Sequence, residues 1–142
     1  MVAIGSHYIL DMYDCPSEVI DDLERVQAAL RQAAEVARST LLGETAHRFE
    51  PQGVTALGLL AESHISVHTW PELNYAAADV FSCGEHARPE LACAYLAKAL
   101  RAGRHEIRRV ARGEHVSPSR PARAPTPGEQ AADVEPDHRD AG

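Results

Sequence analysis

One apolar stripe constrains the fold of this 142-residue chain more than any other feature of its sequence. Shortly after Pro16, apolar residues begin to recur every three or four positions, which places them along one side of a helix. They are Val19, Leu23, Val26, Leu30, Ala34 and Ala37. Pro16 is suited to a first helical turn, and the acidic residues that follow it favour a helix start. The stripe predicts an amphipathic helix whose apolar side packs against a second layer.

Extended segments on both sides of this helix supply the second layer. Branched and aromatic residues predict strands at 7–13, 40–49, 54–62, 64–70, 76–81 and 105–110, the last of them at a sheet edge. A second helix is predicted from Pro89, with Gly103 as its stop. This order of elements predicts an α+β fold. We expect a two-layer sandwich in which a mainly antiparallel sheet carries two helices on one face.

The composition changes after Gly113. Most of the chain's prolines fall there among small and charged residues, and the hydrophobic periodicity stops. Such a segment cannot bury enough apolar surface to offset the entropy lost on ordering. The sequence therefore predicts one folded domain over residues 1–112 and a disordered, Pro-rich tail over residues 113–142.

Charge and apolar run length argue against two classes of partner. The net charge of −7 disfavours binding to nucleic acid or to an anionic membrane surface. No apolar run approaches the roughly 18 residues of a membrane span. A cluster of arginines could suggest nucleic-acid binding, but a solvated edge strand explains it better. These arginines are Arg104, Arg108, Arg109 and Arg112.

Cysteine usage and the first residues bear on the compartment. The three cysteines, Cys15, Cys83 and Cys93, are odd in number and widely spaced, which disfavours a disulfide framework. The first residues lack the basic and apolar regions of a secretory signal. We expect a cytoplasmic protein in a reducing environment.

The dipeptide Glu62-Ser63 offers a route to self-cleavage. A serine hydroxyl can attack the preceding carbonyl and shift the acyl group from nitrogen to oxygen. The ester can then eliminate to dehydroalanine, which hydrolyses to a pyruvoyl group. This chemistry needs a base, donors for an oxyanion and a strained or exposed peptide. Local candidates are His68 and the hydroxyls of Thr55, Ser66 and Thr69. On residue types alone, a serine that merely ends a strand is the more frequent case.

The sequence around this dipeptide resembles a known family. Residues 51–55, 61–72 and 75–84 read PQGVT, AESHISVHTWPE and YAAADVFSCG. These segments are similar to prokaryotic S-adenosylmethionine decarboxylase proenzymes, and the resemblance extends over about residues 4–112. It implies an enzyme that converts S-adenosylmethionine to S-adenosylmethioninamine and CO2, providing the aminopropyl donor for spermidine biosynthesis.

The same resemblance implies how the cofactor is made. Cleavage between Glu62 and Ser63 would give a β chain of residues 1–62 and an α chain of residues 63–142. Ser63 would become a covalent pyruvoyl group that forms a Schiff base with the substrate, so that neither pyridoxal phosphate nor a metal is expected. His68 matches the proton acceptor in processing, and Cys83 matches the proton donor in decarboxylation. Thr55 stands where the family commonly has a processing serine.

Substrate-binding residues are predicted beside the motif. Phe49 and Trp70 could stack on the adenine ring or face the sulfonium cation, although either could instead fill the core. Glu72 could accept hydrogen bonds from the ribose hydroxyls.

Strand geometry raises two further points. His64 and His68 share one face of a strand, and with Cys83 and His86 they could form a zinc site, which is disfavoured because no tight ligand spacing supports it. Ser63 and His68 fall on opposite faces of an ideal strand. We therefore expect a bend, a bulge or the chain break itself to bring them together.

The resemblance also implies an assembly and leaves rival functions open. Bacterial relatives act as dimers of the processed unit with a shared active site, so we expect a homo-oligomer of composition (αβ)2. One rival is a pyruvoyl-dependent ornithine or arginine decarboxylase on the same scaffold. Another is a non-catalytic homologue that regulates an active partner, which retention of Ser63, His68 and Cys83 disfavours.

Overall fold

Six strands form a single antiparallel sheet in the order β2-β3-β4-β5-β1-β6. The structure is a computed structural model that describes residues 4–117. Its elements are β1 (Gly5–Tyr13), α1 (Ser17–Ile20), α2 (Leu23–Val36), β2 (Leu41–Arg48), β3 (Val54–Leu60), β4 (Ser63–Trp70), β5 (Tyr75–Ser82), α3 (Pro89–Ala99) and β6 (Arg104–Arg112), with a 3₁₀ turn at Pro71–Leu73 between β4 and β5. The predicted edge strand near residue 105 is confirmed as β6.

The first predicted helix is interrupted, contrary to its unbroken apolar stripe. The helix α1 ends at Ile20 and α2 starts at Leu23. Asp22 has extended backbone angles, and its side chain accepts a hydrogen bond from the backbone N–H of Arg25 at 3.2 Å. An aspartate that caps a new helix in this way satisfies a donor that the helix itself leaves free. The cap at Asp22 therefore divides the predicted helix in two.

One face of the sheet is covered by helices. Inward side chains of the sheet, including Leu10, Ile65 and Val67, form one buried core with Leu30 of α2 and Leu96 of α3. The predicted two-layer α+β sandwich is confirmed. None of the helices within residues 4–117 is long and apolar enough to span a membrane. Nearly all of the predicted disordered tail lies outside the described residues.

The other face of the sheet is left open by the described elements. Side chains that alternate with the core residues point to this open face. Leu57, Leu59 and Trp70 lie on it and are 44%, 59% and 40% exposed. Apolar side chains grouped on an uncovered sheet face are typical of an interaction surface.

Candidate active site

The predicted cleavage bond lies at a strained turn. Ala61 and Glu62 form the turn between β3 and β4, and Leu60 pairs directly with Ser63 across it. Ser63 has a φ angle of 153°, which residues with a side chain rarely adopt. Such a conformation costs about 1–3 kcal/mol and must be imposed by the surrounding sheet. The peptide before Ser63 is therefore strained before any chemistry takes place.

Contacts with both its side chain and its carbonyl hold Glu62 in place. The Glu62 side chain is only 8% exposed, and its Oε1 accepts a hydrogen bond from the backbone N–H of Thr40 at 3.1 Å. His86 Nε2 lies 3.6 Å from the other carboxylate oxygen. A Cβ at Gly84 would meet Glu62 Cγ at 3.2 Å, so the glycine leaves room for this side chain. The Glu62 carbonyl accepts a hydrogen bond from the backbone N–H of Cys83 at 3.3 Å.

Cys83 differs from the other two cysteines in its exposure. It follows the end of β5, whose last residue Ser82 pairs with Ser63, and its thiol is free and exposed. Cys15 and Cys93 are buried in the core. Burial raises the pKa of Cys15 to about 11 and that of Cys93 to about 12, with nearby carboxylates adding to the rise. Of the three thiols, only Cys83 is exposed to solvent, and it lies beside Ser63.

A cluster of polar side chains lies on the open face beside Ser63. Asp79 Oδ2 accepts from His64 Nε2 at 2.8 Å and from His7 Nε2 at 2.6 Å, while the Ser66 hydroxyl donates to Oδ1. Burial alone would raise the pKa of Asp79, but the hydrogen bonds from Ser66, His7 and His64 hold that pKa below its usual value. Arg112 Nη1 donates to His7 Nδ1 at 3.2 Å. Asp79 is therefore an anion at neutral pH.

His64 links this cluster to the serine. An ionised carboxylate can only accept hydrogen bonds, so the Nε2 atom that faces Asp79 must carry the proton. In the neutral imidazole the other ring nitrogen, Nδ1, then has a free lone pair, and it lies 3.5 Å from Ser63 Oγ. Sequence analysis missed His7 and Asp79. Asp79 carries a recognisable signal, because it is the single charged residue in the apolar strand 76–81.

The ligands of the disfavoured zinc alternative do not come together. Within residues 4–117, the one set of metal-ligating side chains with converging ligand atoms is His7, His64 and Asp79, whose atoms lie within 4.8 Å of one another. The zinc alternative required His64, His68, Cys83 and His86, and the structure separates these four.

The predicted substrate-binding residues lie together at the other end of β4. Phe49, Trp70 and Glu72 line a pocket of about 340 Å³. Thr55 and His68 line the same pocket, and Thr55 Oγ1 lies 3.1 Å from His68 Nδ1. The structure thus gathers these five residues, and their roles remain predictions.

One wall of this pocket is fixed by Asp21. Its carboxylate accepts hydrogen bonds from the backbone N–H of Gly53 at 2.9 Å and from Arg48 Nη2 at 2.8 Å. Gly53 lines the pocket and has a φ angle of 108°, which favours glycine. The Gly53 N–H does most to hold the pKa of Asp21 below its ordinary value, with burial opposing and Arg48 assisting.

Within one chain, Ser63 and His68 do not meet. The strand β4 pairs with β5 without interruption from Ser63 opposite Ser82 to Trp70 opposite Tyr75. Ser63 and His68 are five residue steps apart along a regular strand, which corresponds to about 17 Å. The expected bend or bulge is therefore wrong, because both neighbouring strands hold β4 in regular register, whereas the third alternative, the chain break itself, stays a prediction.

Comparisons with known proteins agree on one family. The sequence profile described as S-adenosylmethionine decarboxylase matches residues 6–113. The S-adenosylmethionine decarboxylase proenzyme of Parasynechococcus marenigrum is 55% identical over 105 residues, which are 74% of this chain and 82% of the relative. The proenzyme of Methanococcus maripaludis is 43% identical over 113 residues, 80% of this chain and 93% of the relative. The crystal structure of the adenosylmethionine decarboxylase from Aquifex aeolicus superposes with a TM-score of 0.75 at 34% identity, covering 82% of this chain and 98% of that one.

Proposed function

The chain belongs to the S-adenosylmethionine decarboxylase family, and we propose that it converts S-adenosylmethionine to S-adenosylmethioninamine and CO2. The structural observation that carries the proposal is the strained Glu62–Ser63 peptide, whose carbonyl accepts a hydrogen bond from the N–H of Cys83. No observation favours ornithine or arginine as the substrate, or a non-catalytic regulator.

We propose that the catalytic carbonyl arises from Ser63 itself. The fit is good, because a hydroxyl follows a carbonyl that is already hydrogen-bonded and the intervening peptide is strained. Cleavage there would give chains of residues 1–62 and 63–142, within a catalytic domain of residues 1–112. A pyruvoyl group at position 63 would supply a carbonyl that captures the substrate amine and draws electrons as CO2 departs.

A side chain beside Ser63 would then donate the proton that decarboxylation requires. Cys83 is exposed and adjacent to residue 63, so its thiol is suited to return a proton to the substrate carbon after CO2 has left. Neither pyridoxal phosphate nor a metal ion has a role in this scheme.

The pocket at the other end of β4 is suited to the nucleoside part of the substrate. Phe49 and Trp70 present exposed aromatic faces to a space of about 340 Å³, where they could stack on adenine and attract the sulfonium cation. Glu72 offers a carboxylate to the ribose hydroxyls. Thr55 and His68 form the hydrogen-bonded pair on the pocket floor.

The separation of these two ends supports a dimer. His68 cannot take a proton from residue 63 of its own chain if about 17 Å of strand lies between them. A second copy packed on the open face, related by a two-fold axis perpendicular to β4, would set the Ser63 end of one chain against the pocket of the other. The exposed Leu57 and Leu59 on that face support such packing. We therefore propose an (αβ)2 assembly.

The compartment follows from the thiols. Three free cysteines are most easily maintained in a reducing environment, so we propose that the enzyme works in the cytoplasm.

Intact mass spectrometry of the purified protein tests the proposal. We expect two chains, with the larger one blocked by a carbonyl at its N-terminus, and CO2 release from S-adenosylmethionine. Ser63→Ala should leave a full-length chain with no activity, and Ser17→Ala, which changes an exposed serine at the start of α1, should still be cleaved. A wild-type chain that stays whole would overturn the self-cleavage. CO2 release from ornithine or arginine alone would overturn the substrate.

A further inference from the structure

We propose that His64, oriented by Asp79, is the base for the first step of self-cleavage and that it acts within its own chain. That step is the transfer of the Glu62 acyl group from the nitrogen to the oxygen of Ser63. The inference rests on the self-cleavage proposed above, and it separates this step from a later one that uses His68 of the partner subunit.

The position of His64 carries the argument. Its Nδ1 atom lies 3.5 Å from Ser63 Oγ, while its Nε2 atom donates to Asp79 at 2.8 Å. The contact with Ser63 is long for a hydrogen bond, but such contacts commonly tighten when the reacting complex forms. The arrangement is that of a nucleophile, a base and an orienting carboxylate, with each group adjacent to the next.

Hydrogen bonds set the tautomer of both imidazoles in their neutral form. Arg112 donates to His7 Nδ1, so the proton of His7 sits on Nε2 and points to Asp79. His64 likewise donates through Nε2. A metal ion would need both of these nitrogens without protons. The hydrogen bonds as they stand are those of a proton-transfer cluster.

The Glu62 carbonyl that Ser63 attacks is hydrogen-bonded by a donor of the same chain. The Cys83 N–H donates to the Glu62 carbonyl at 3.3 Å, so it can stabilise the negative charge that develops on that oxygen. The Glu62 side chain is held by the N–H of Thr40. Nucleophile, base and oxyanion donor thus all belong to one protomer.

The step balances without any further reactant. His64 Nδ1 takes the Ser63 Oγ proton as Oγ bonds to the Glu62 carbonyl carbon, and the carbonyl oxygen becomes an anion. When this intermediate collapses, the carbon–nitrogen bond breaks and the imidazolium returns the proton to the Ser63 nitrogen. An amide has become an ester, with no atom lost and no change of oxidation state. Loss of the Ser63 Cα proton follows, and this is the step left to His68.

Hydroxylamine separates the two steps, because it cleaves esters much faster than amides. In a His68→Ala chain the elimination is blocked, so the rate of hydroxylamine-driven cleavage reports the acyl shift alone. Adding His64→Gln keeps an amide nitrogen for Asp79 but removes the base at Nδ1. We expect this rate to fall by at least about 100-fold, which is typical for loss of a general base. Asp79→Asn should slow it too, since an amide nitrogen can turn the imidazole into the wrong tautomer.

A control separates chemistry from folding. His105→Gln changes an exposed histidine on β6 and should leave the rate unchanged, and thermal melting checks that every variant is folded. Cleavage of the His64→Gln, His68→Ala chain at the rate of the His68→Ala chain would overturn the inference while leaving self-cleavage intact. A wild-type chain that never cleaves would instead overturn the proposed function.

Co-assembly tests whether His64 acts within its own chain. A His64→Gln chain is expressed with a Ser63→Ala chain that carries a different tag and an intact His64. We expect the His64→Gln chain to stay whole at the time when wild type is fully cut. Its cleavage in this mixture would show that His64 reaches across the dimer, and the inference would be wrong.

Discussion

In the proposed function, the two ends of β4 hold different parts of one reaction. At its start, Ser63 lies beside the His64–Asp79 pair and Cys83, and the peptide before it is strained. At its far end, Trp70 and His68 line a pocket of about 340 Å³, which does not include the Glu62–Ser63 peptide bond. In the proposed function, the first end makes the catalytic group and the second end binds the substrate.

This difference explains why a small chain would need a copy of itself. A regular strand advances about 3.3 Å per residue, and β4 is held regular by hydrogen bonds to β3 and β5. No side chain rotation brings Ser63 to His68 across five such residues. A second chain running in the opposite direction over the open face resolves the separation without bending either strand.

Mixed dimers should give the largest effect, because they test directly whether the two ends of β4 meet across a dimer. Ser63→Ala and His68→Ala chains should each be inactive alone. Together they should form one complete site per mixed dimer, because intact Ser63 of one chain meets intact His68 of the other. Random pairing makes half of the dimers mixed, so activity should return to about one quarter of the wild-type level. Decarboxylation assays on co-expressed chains measure this.

The same mixture identifies which chain is cut. Only the chain that itself carries His68→Ala has an intact Ser63, so that chain alone should be cleaved, as seen by tags of different mass. A mixture that stays uncut and inactive would mean that the two ends do not meet across a dimer.

A substitution in the pocket should affect binding and leave the Ser63 end untouched. Trp70→Leu removes an aromatic face that could stabilise a bound cation by about 0.5–2 kcal/mol, so KM should rise about tenfold. If the contact is the same in the ground state and transition state, kcat and self-cleavage stay at wild-type values. Steady-state kinetics and a denaturing gel measure these quantities.

Leu91→Ala is the matched control for this prediction. Leu91 has an exposure close to that of Trp70, 42% against 40%, but it lies on α3. It should leave KM unchanged. A Trp70→Leu chain that fails to cleave itself would show that the pocket end also supports processing. The two ends of β4 would then not have separate roles.

Sequence alone predicts the parts of this molecule that depend on local periodicity. The stripe that includes Val26 and Leu30 predicted α2, and alternation placed His64 and His68 on one face of β4. It could not predict that His7 meets Asp79, since the two are 72 residues apart and meet through the register of β1 on β5. The expected bend at Ser63 was wrong for a related reason: it assumed that one chain must complete the site.

The smallest expected effect is a change in stability caused by a substitution beside the pocket. Asp21→Asn replaces a charged acceptor for the Gly53 N–H with a neutral one. We expect the free energy of unfolding to fall by about 1 kcal/mol at neutral pH, a modest value because the carboxylate is partly exposed. Chemical denaturation measures the loss, and KM should rise slightly because Gly53 lines the pocket. Self-cleavage at the opposite end of β4 should keep its rate.

The pH dependence of this loss identifies its cause. The folded-state pKa of Asp21 lies below its unfolded value of about 3.9, so its stabilising contribution is complete above that value. The contribution disappears as pH falls through the folded-state pKa, and the wild-type and Asp21→Asn curves should then converge. Glu50→Gln is the control, because Glu50 contacts the same Arg48 at 3.3 Å but is 86% exposed, and it should change stability little at any pH. A gap between wild type and Asp21→Asn that persists undiminished below pH 3 would mean that packing, and not the charge that anchors Gly53, sets the rigidity of the pocket end.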